Sequence, residues 1–345
     1  MRPFAHAAPL TLEDAILACN ATVADIMAAG DPLRPTGTVP RGAGNDLLDL
    51  MKEGLFSPEA LVDVRGIPEL RGIRETDDGG LRIGAAATIA EIEADERLRT
   101  GSWRAVGAAA AHIAHPQIRA TATMAGSLLQ RPRCWYFRLE EASDPKRGGD
   151  TYLAYEGRNE FHAIFDNAVC PHVHPSTLAT PFLALDAMIE IASRAGRRTL
   201  PIGDFFVSPS KMEDLGENVL RPGEIVTAVT LPSPRREGDG DLVSFHIKQG
   251  QRESYDWAIV DVAVAARRSA DGALSDVRIA MGAVAPTPIR ATAAEDALSG
   301  SNGGDDAIRA AARIAVQSAT PLSRNAYKVP MLEAVVRRTI EGTLA

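Results

Sequence analysis

Short strand-like runs alternating with amphipathic helical stretches predict an α+β protein, and two further observations divide it into subdomains. The first is length, because 345 residues exceed what one hydrophobic core usually serves. The second is the coincidence of proline, charge and glycine in SPRREGDGD, at 233–241, which reads as a domain boundary. The expected units are 1–58, 59–234 with an insertion loop at about 134–170, and 241–345.

Residues 1–36 open on a helix. Thr11 suits the N-cap, Glu13 and Asp14 occupy the first turn, and AILACNATVADIM follows. The Pro/Gly-rich GDPLRPTGTVP forbids its continuation. RGAGNDLLDLMKEG reads as a small-residue turn entering an apolar-periodic segment with Leu47, Leu48, Leu50 and Met51. From Ala60 the texture changes to strands and turns: LVDV, LRGIRE, the hairpin-like DDGG and LRIGAAA. TIAEIEADERLR is helical, with Thr88 and Glu91 at capping-box spacing. WRAVGAAAAHIA is a second helix, ended by Pro116. Residues 139–170 are polar and glycine-rich without a clear period, a length of loop that is usually functional or inserted.

LATPFLALDAMIEIAS reads as a helix then a strand, SRAGRR as an exposed turn, and TLPIGDFF and EIVTAVTLP as strands. Beyond the boundary, strands in LVSFHIK, AIVDVAVAARR and DVRIAMGAV accompany two amphipathic helices, DDAIRAAARIAVQSA and VPMLEAVVRRTIEGT.

A net charge of −8 argues against a partner that is nucleic acid or an anionic membrane surface, since either needs a positive field. Any phosphate must then be held locally. No run approaches the roughly 20 apolar residues of a membrane span, and the first residues lack a basic-then-apolar signal. Three scattered cysteines, Cys19, Cys134 and Cys170, do not make a disulfide framework. A cytoplasmic location is expected.

The least ordinary stretch is HPQIRATATMAGSLLQRPRCWYFR, at 115–138. It joins a turn of Thr123, Gly126 and Ser127 to Arg131, Arg133, Arg138, Cys134 and a Trp-Tyr-Phe run, which suits a planar anion or a partner surface. Gly42 and Gly44 mark a second small-residue turn. Two such turns converging on one pyrophosphate would neutralise it with backbone N–H groups. The strand-turn-helix G-x-G-x-x-G pattern is missing, which disfavours a Rossmann site. A Gly-x-Ser-x-Gly elbow is also missing, and no histidine sits in an acid/base motif, so a hydrolase is disfavoured. Cys170, His172 and His174 share one face of an extended segment, as zinc ligands would, but a fourth ligand is not evident.

Taken in order, RGAGNDLLDLMK, SPEALVDVRGIPELRGI, LRIGAAATIAEIEAD, the 115–138 stretch, HPSTLATPFLALDA, RPGEIVTAVTLP and SYDWAIVDVAVAA resemble successive motifs of one family. It is the FAD-binding medium subunit of the molybdenum hydroxylases, the xanthine dehydrogenase, carbon monoxide dehydrogenase and aldehyde oxidoreductase group. The likeness is nearest to the subgroup with a 4Fe-4S insertion. It implies a two-subdomain FAD-binding fold of the PCMH or vanillyl-alcohol-oxidase type, followed by a C-terminal α/β domain like that of CO dehydrogenase flavoproteins.

The resemblance places FAD between the subdomains, its pyrophosphate on the two turns. Arg41, Gly42, Ala43, Gly44, Asn45, Asp46 and Leu47 would form the first site segment. Thr121, Thr123, Met124, Ala125, Gly126 and Ser127 would form the second, with Thr177, Ile225 and Lys248 as further implied contacts. The implied role is electron transfer. A molybdopterin-binding large subunit oxidises an aldehyde or N-heterocycle, a 2Fe-2S small subunit relays the electrons, and FAD passes them to an external acceptor. Such a chain needs no catalytic acid or base of its own. The alternative is a cofactor-depleted structural subunit of the same kind of complex, and a stand-alone flavin reductase of the same fold fits the C-terminal half less well.

Three departures from the family pattern stand out. The Ala-Gly-Gly-Thr of the first motif is here Gly42-Ala43-Gly44-Asn45, and an alanine at positive φ would be strained. Thr177 replaces an aspartate that would accept stronger hydrogen bonds from FAD hydroxyls. Of the four cysteines that hold the subgroup's cluster, Cys134 and Cys170 match, while Asp144 and Tyr152 stand at the middle positions. Such clusters need four thiolates, so no 4Fe-4S cluster is expected and the loop would persist packed by Trp135, Tyr136 and Phe137.

Overall fold

A computed structural model describes residues 1–29, 35–210, 215–235, 240–252 and 255–345. The first sheet is parallel and three-stranded, with β1 (Ala5–Ala7) and β2 (Thr38–Arg41) flanking β3 (Ala60–Asp63). The Ala60 strand therefore lies at the centre of the first unit, which runs past the expected limit of 58. Parallel strands need crossovers, and short helices supply them. The single N-terminal helix expected from Thr11 is two, Leu12–Ala18 and Val23–Ala28. Asn20 breaks it by pairing with Thr38 through both its backbone N–H, at 3.0 Å, and its side-chain carbonyl, at 2.8 Å. Thr22 and Asp25 then close a capping box that starts the second helix.

The second sheet is antiparallel. Its strands are β4 (Ile73–Glu75), β5 (Leu81–Gly84), β6 (Met188–Ser193), β7 (Gly196–Pro201) and β8 (Ile225–Leu231), in the order β4-β5-β8-β6-β7. The Thr88–Glu91 capping box forms as its spacing requires. The alanine-rich helix spans Arg104–Ala111 and stops before Pro116, which instead opens a separate turn of helix, Pro116–Arg119. Proline is well placed there, because a first helical residue has no use for its N–H. TLPIGDFF is a strand only as far as Pro201, after which Ile202–Phe205 turns helical. The boundary expected at 233–241 lies partly outside the described residues, as does part of GDPLRPTGTVP.

The third sheet holds β9 (Asp241–Gln249), β10 (Val260–Arg268), β11 (Leu274–Gly282) and β12 (Ile289–Arg290), in the order β12-β11-β10-β9. Helices Asp305–Val316 and Lys328–Leu344 match the amphipathic stretches, and a further helix, Thr292–Leu298, was not anticipated. Strand alternation divides β10 between two cores. Val260, Val262 and Val264 pack in the C-terminal core, while Ala263 and Ala265 belong to the core of the second unit.

Arg104 locks this junction by donating to the carbonyls of Ser244, at 2.7 Å, and Gly342, at 2.6 Å. The 139–170 loop has one regular piece, the 3-10 turn Pro145–Arg147. Phe137 is fully buried under Arg131 and His172, and Trp135 meets Phe161 of the loop edge-on at 5.8 Å.

Candidate functional site

A groove of about 530 Å³ runs between the first unit, the second unit and the start of the third. Its size lies within the usual range of small-molecule and cofactor pockets. Strand β2 delivers the chain to its mouth. Arg41 ends that strand and pairs with Asp63 of β3, so its guanidinium is tied to the sheet and it does not line the groove. Gly42, Ala43, Gly44, Asn45, Asp46 and Leu47 do line it. Gly44 takes φ +84, where only glycine is at ease, whereas Ala43 keeps a negative φ. The methyl of Ala43 thus carries no backbone strain.

The N–H groups of this turn are its main chemical feature. Among the described residues, none of those from Gly42 to Asp46 has a protein acceptor. Donors in a concave turn at a groove are available to an acceptor from outside the chain, water or an anion. The Asp46 carboxylate does not oppose an anion there, being engaged on its other side. It accepts from the Arg131 N–H at 2.8 Å, and it pairs with Arg138 at 2.7 Å and Arg133 at 2.9 Å.

The second segment differs from expectation. Thr123 caps a helix, Met124–Leu128, its hydroxyl accepting from the Gly126 N–H at 3.2 Å. The Met124 and Ala125 N–H groups donate to the carbonyls of Ala87, at 2.8 Å, and Ala85, at 3.1 Å, and Ser127 donates to Thr123 at 2.9 Å. These donors are used within the fold, so this segment is not a second N–H nest. It contributes closeness instead. A methyl on Gly42 would come within 2.5 Å of Thr123 Oγ1, and one on Gly126 within 2.9 Å of the same atom. The two motifs touch through small residues that larger ones would force apart. Met124 points into the core and Thr121 bonds back to Ile118 at 3.2 Å, and neither lines the groove.

Thr177 and Ile225 line the groove, both nearly buried, and Ser176 beside them meets the Ser127 hydroxyl at 3.2 Å. Lys248 of β9 reaches in and donates to the carbonyls of His112, at 2.6 Å, and Asp256, at 2.5 Å. Burial holds its ammonium below the ordinary lysine value.

Residue reading missed Ile113, Ile118 and Trp257 as walls, although Trp257 lies in the SYDWA segment. The Arg133 guanidinium stacks over the Trp257 ring at 4.3 Å, joining the 115–138 stretch to the third unit. Behind it Arg131 is buried, paired with Glu217 at 2.9 Å, and Lys146 meets the same carboxylate at 3.0 Å.

Of Cys170, His172 and His174, the first two stay in contact and the third does not join them. His174 turns away to pack its ring on Phe206 at 4.6 Å, while His172 faces Cys134 and Asp144. Among the described residues no helix is long and apolar enough to cross a membrane.

Comparison with known proteins agrees with this architecture. Residues 19–234 match the family described as FAD binding domain in molybdopterin dehydrogenase, and residues 245–343 match the CO dehydrogenase flavoprotein C-terminal domain. The aldehyde oxidoreductase FAD-binding subunit PaoB of Escherichia coli (strain K12) is 36% identical over 308 residues, 88% of this chain and 89% of the relative. The xanthine dehydrogenase FAD-binding subunit of Escherichia coli O157:H7 is 27% identical, across 83% of this chain and 81% of that one. Among solved structures, carbon monoxide dehydrogenase from Hydrogenophaga pseudoflava, in a form lacking the Mo-pyranopterin moiety, superposes with a TM-score of 0.70 at 25% identity. That superposition covers 99% of this chain and 98% of the other. The matched domains, the relatives and the fold together assign the chain to the family of FAD-binding medium subunits of molybdenum hydroxylases.

Proposed function

We propose that the groove binds FAD and that the chain is the electron-transfer subunit of a multi-subunit molybdenum-containing hydroxylase that oxidises an aldehyde or an N-heterocycle. The observation that carries this reading is the unpartnered run of N–H groups from Gly42 to Asp46, set in a groove of cofactor size. A pyrophosphate supplies the acceptors those donors lack, and Gly44 supplies the backbone shape. Thr123 and Thr177 offer hydroxyls, and Ile113, Ile118 and Ile225 offer apolar walls for a flat ring. Bound FAD would supply the redox chemistry, while the chain binds, orients and shields it.

Electrons would arrive from a 2Fe-2S small subunit, fed by a molybdopterin-binding large subunit, and leave to an external acceptor. The aldehyde oxidoreductase relative favours an aldehyde as the first substrate to test. A cytoplasmic complex fits the free, buried state of all three cysteines.

The test is to purify the chain, alone and with its two partner subunits, and to measure flavin released per chain. About one FAD per chain is expected, with loss of the oxidised-flavin absorbance when an aromatic aldehyde is added to the whole complex without acceptor. A colourless chain that still assembles would overturn the proposal in favour of a structural subunit.

A further inference from the structure

The 134–172 region holds a second chemical centre, outside the lining of the groove. Cys134, Asp144 and His172 place a thiol sulfur, a carboxylate oxygen and an imidazole nitrogen all within 4.8 Å of one another. All three are buried, at 8%, 1% and 2% exposure. They come from the start, middle and end of the insertion, so the long loop is folded around this point.

The polar atoms here are drawn tightly together. Asp144 Oδ2 and His172 Nε2 approach to 3.0 Å, and Cys170 meets the same imidazole, so carboxylate, ring and thiols converge on one buried point. Buried acidic and basic groups packed this closely are held either by pairing with one another or by a shared cation. His162 places Nε2 at 3.1 Å from the Cys134 sulfur, and Cys170 is buried beside His172. An imidazole and a thiol are therefore at hand for a fourth position.

The cluster of the related subgroup does not fit. Only two of the four expected positions are thiols, Asp144 and Tyr152 occupying the others. A mixed sulfur, nitrogen and oxygen set is instead the ligand chemistry of a single tetrahedral ion.

We propose that Cys134, Asp144 and His172 bind one divalent transition-metal ion of the zinc class, which fastens the insertion loop behind the arginines of the groove. Zinc has no redox chemistry, so the site is structural and stands apart from any electron route. It does not depend on the flavin reading, since none of its residues lines the groove.

The experiment uses the full chain as purified, with zinc and iron measured by plasma mass spectrometry and flavin measured in the same samples. The expected result is about one zinc per chain and little iron. After chelation, cobalt(II) chloride should restore a thiolate-to-metal charge-transfer band in the wild-type chain. Cys134→Ser and His172→Ala should each lower retained zinc about tenfold or more, with flavin per chain unchanged. The wild-type cobalt spectrum decides the matter even where a variant fails to fold. The proposal is overturned by a wild-type chain that takes up neither zinc nor cobalt, by zinc that survives both substitutions, or by about four iron with acid-labile sulfide, the signature of a 4Fe-4S cluster.

Discussion

Gly44 sits at the mouth of the groove with φ +84, a region where a side chain costs about 1–3 kcal/mol. A methyl there would also press on Arg41 Cδ and Leu48 Cγ, each at 3.2 Å. Gly44→Ala is therefore expected to lower flavin affinity about tenfold or more, the equivalent of roughly 1.4 kcal/mol, measured as flavin retained per chain after gel filtration. Unchanged retention would show that the turn does not hold the cofactor. This turn was legible in the sequence because RGAGND spells out its small residues. The state of the second segment was not. Its N–H groups are taken up by the carbonyls of Ala85 and Ala87, which lie in a distant stretch that no local pattern connects to Met124 and Ala125. The same limit hid the partners of His172, since Cys134 and Asp144 reach it only through the folded loop.

Among the elements, the buried group of Arg131, Lys146 and Glu217 joins the insertion loop to the segment before β8. Burial alone would raise the Glu217 carboxyl, but Arg131 and Lys146 outweigh it and hold the group below the usual glutamate value. A depressed folded-state pKa gives stability that is fully present above the unfolded value, near 4.3, and is lost as pH falls through the folded one. Glu217→Gln leaves two buried cations facing a neutral amide, so a loss of about 3–5 kcal/mol at pH 7 is expected from denaturant titration. The variant should also lose the part of the acid transition that Glu217 contributes below about pH 4. A wild-type-like midpoint and acid profile would refute this assignment. Capping patterns were readable at this scale in part, as Thr11 and Thr88 each cap a helix, while the Thr22 cap lies inside what reads as one helix. The division of the first helix was not, because it depends on Asn20 finding Thr38 across the sheet.

For the molecule as a whole, one core extends from Leu12 to Ala280 and includes Ala263 and Ala265 of β10. The third unit thus shares its central strand with the second. A single calorimetric unfolding transition is expected for the chain, and two well-separated transitions would contradict the shared core. The fold class and the C-terminal layer were legible from alternation and helix periodicity. The docking of the units was not, because AIVDVAVAARR reads only as a buried strand and does not say which face meets which core. The N–H turn has one more consequence, which concerns range. An ion's attraction to peptide dipoles dies away with distance faster than its repulsion by net charge. Under the proposed flavin reading, a molecule of charge −8 whose anion site rests largely on peptide dipoles deters phosphates in free solution and holds one only at contact. Under that reading the long-range field slows filling, which suits a group loaded rarely rather than one exchanged at every turnover.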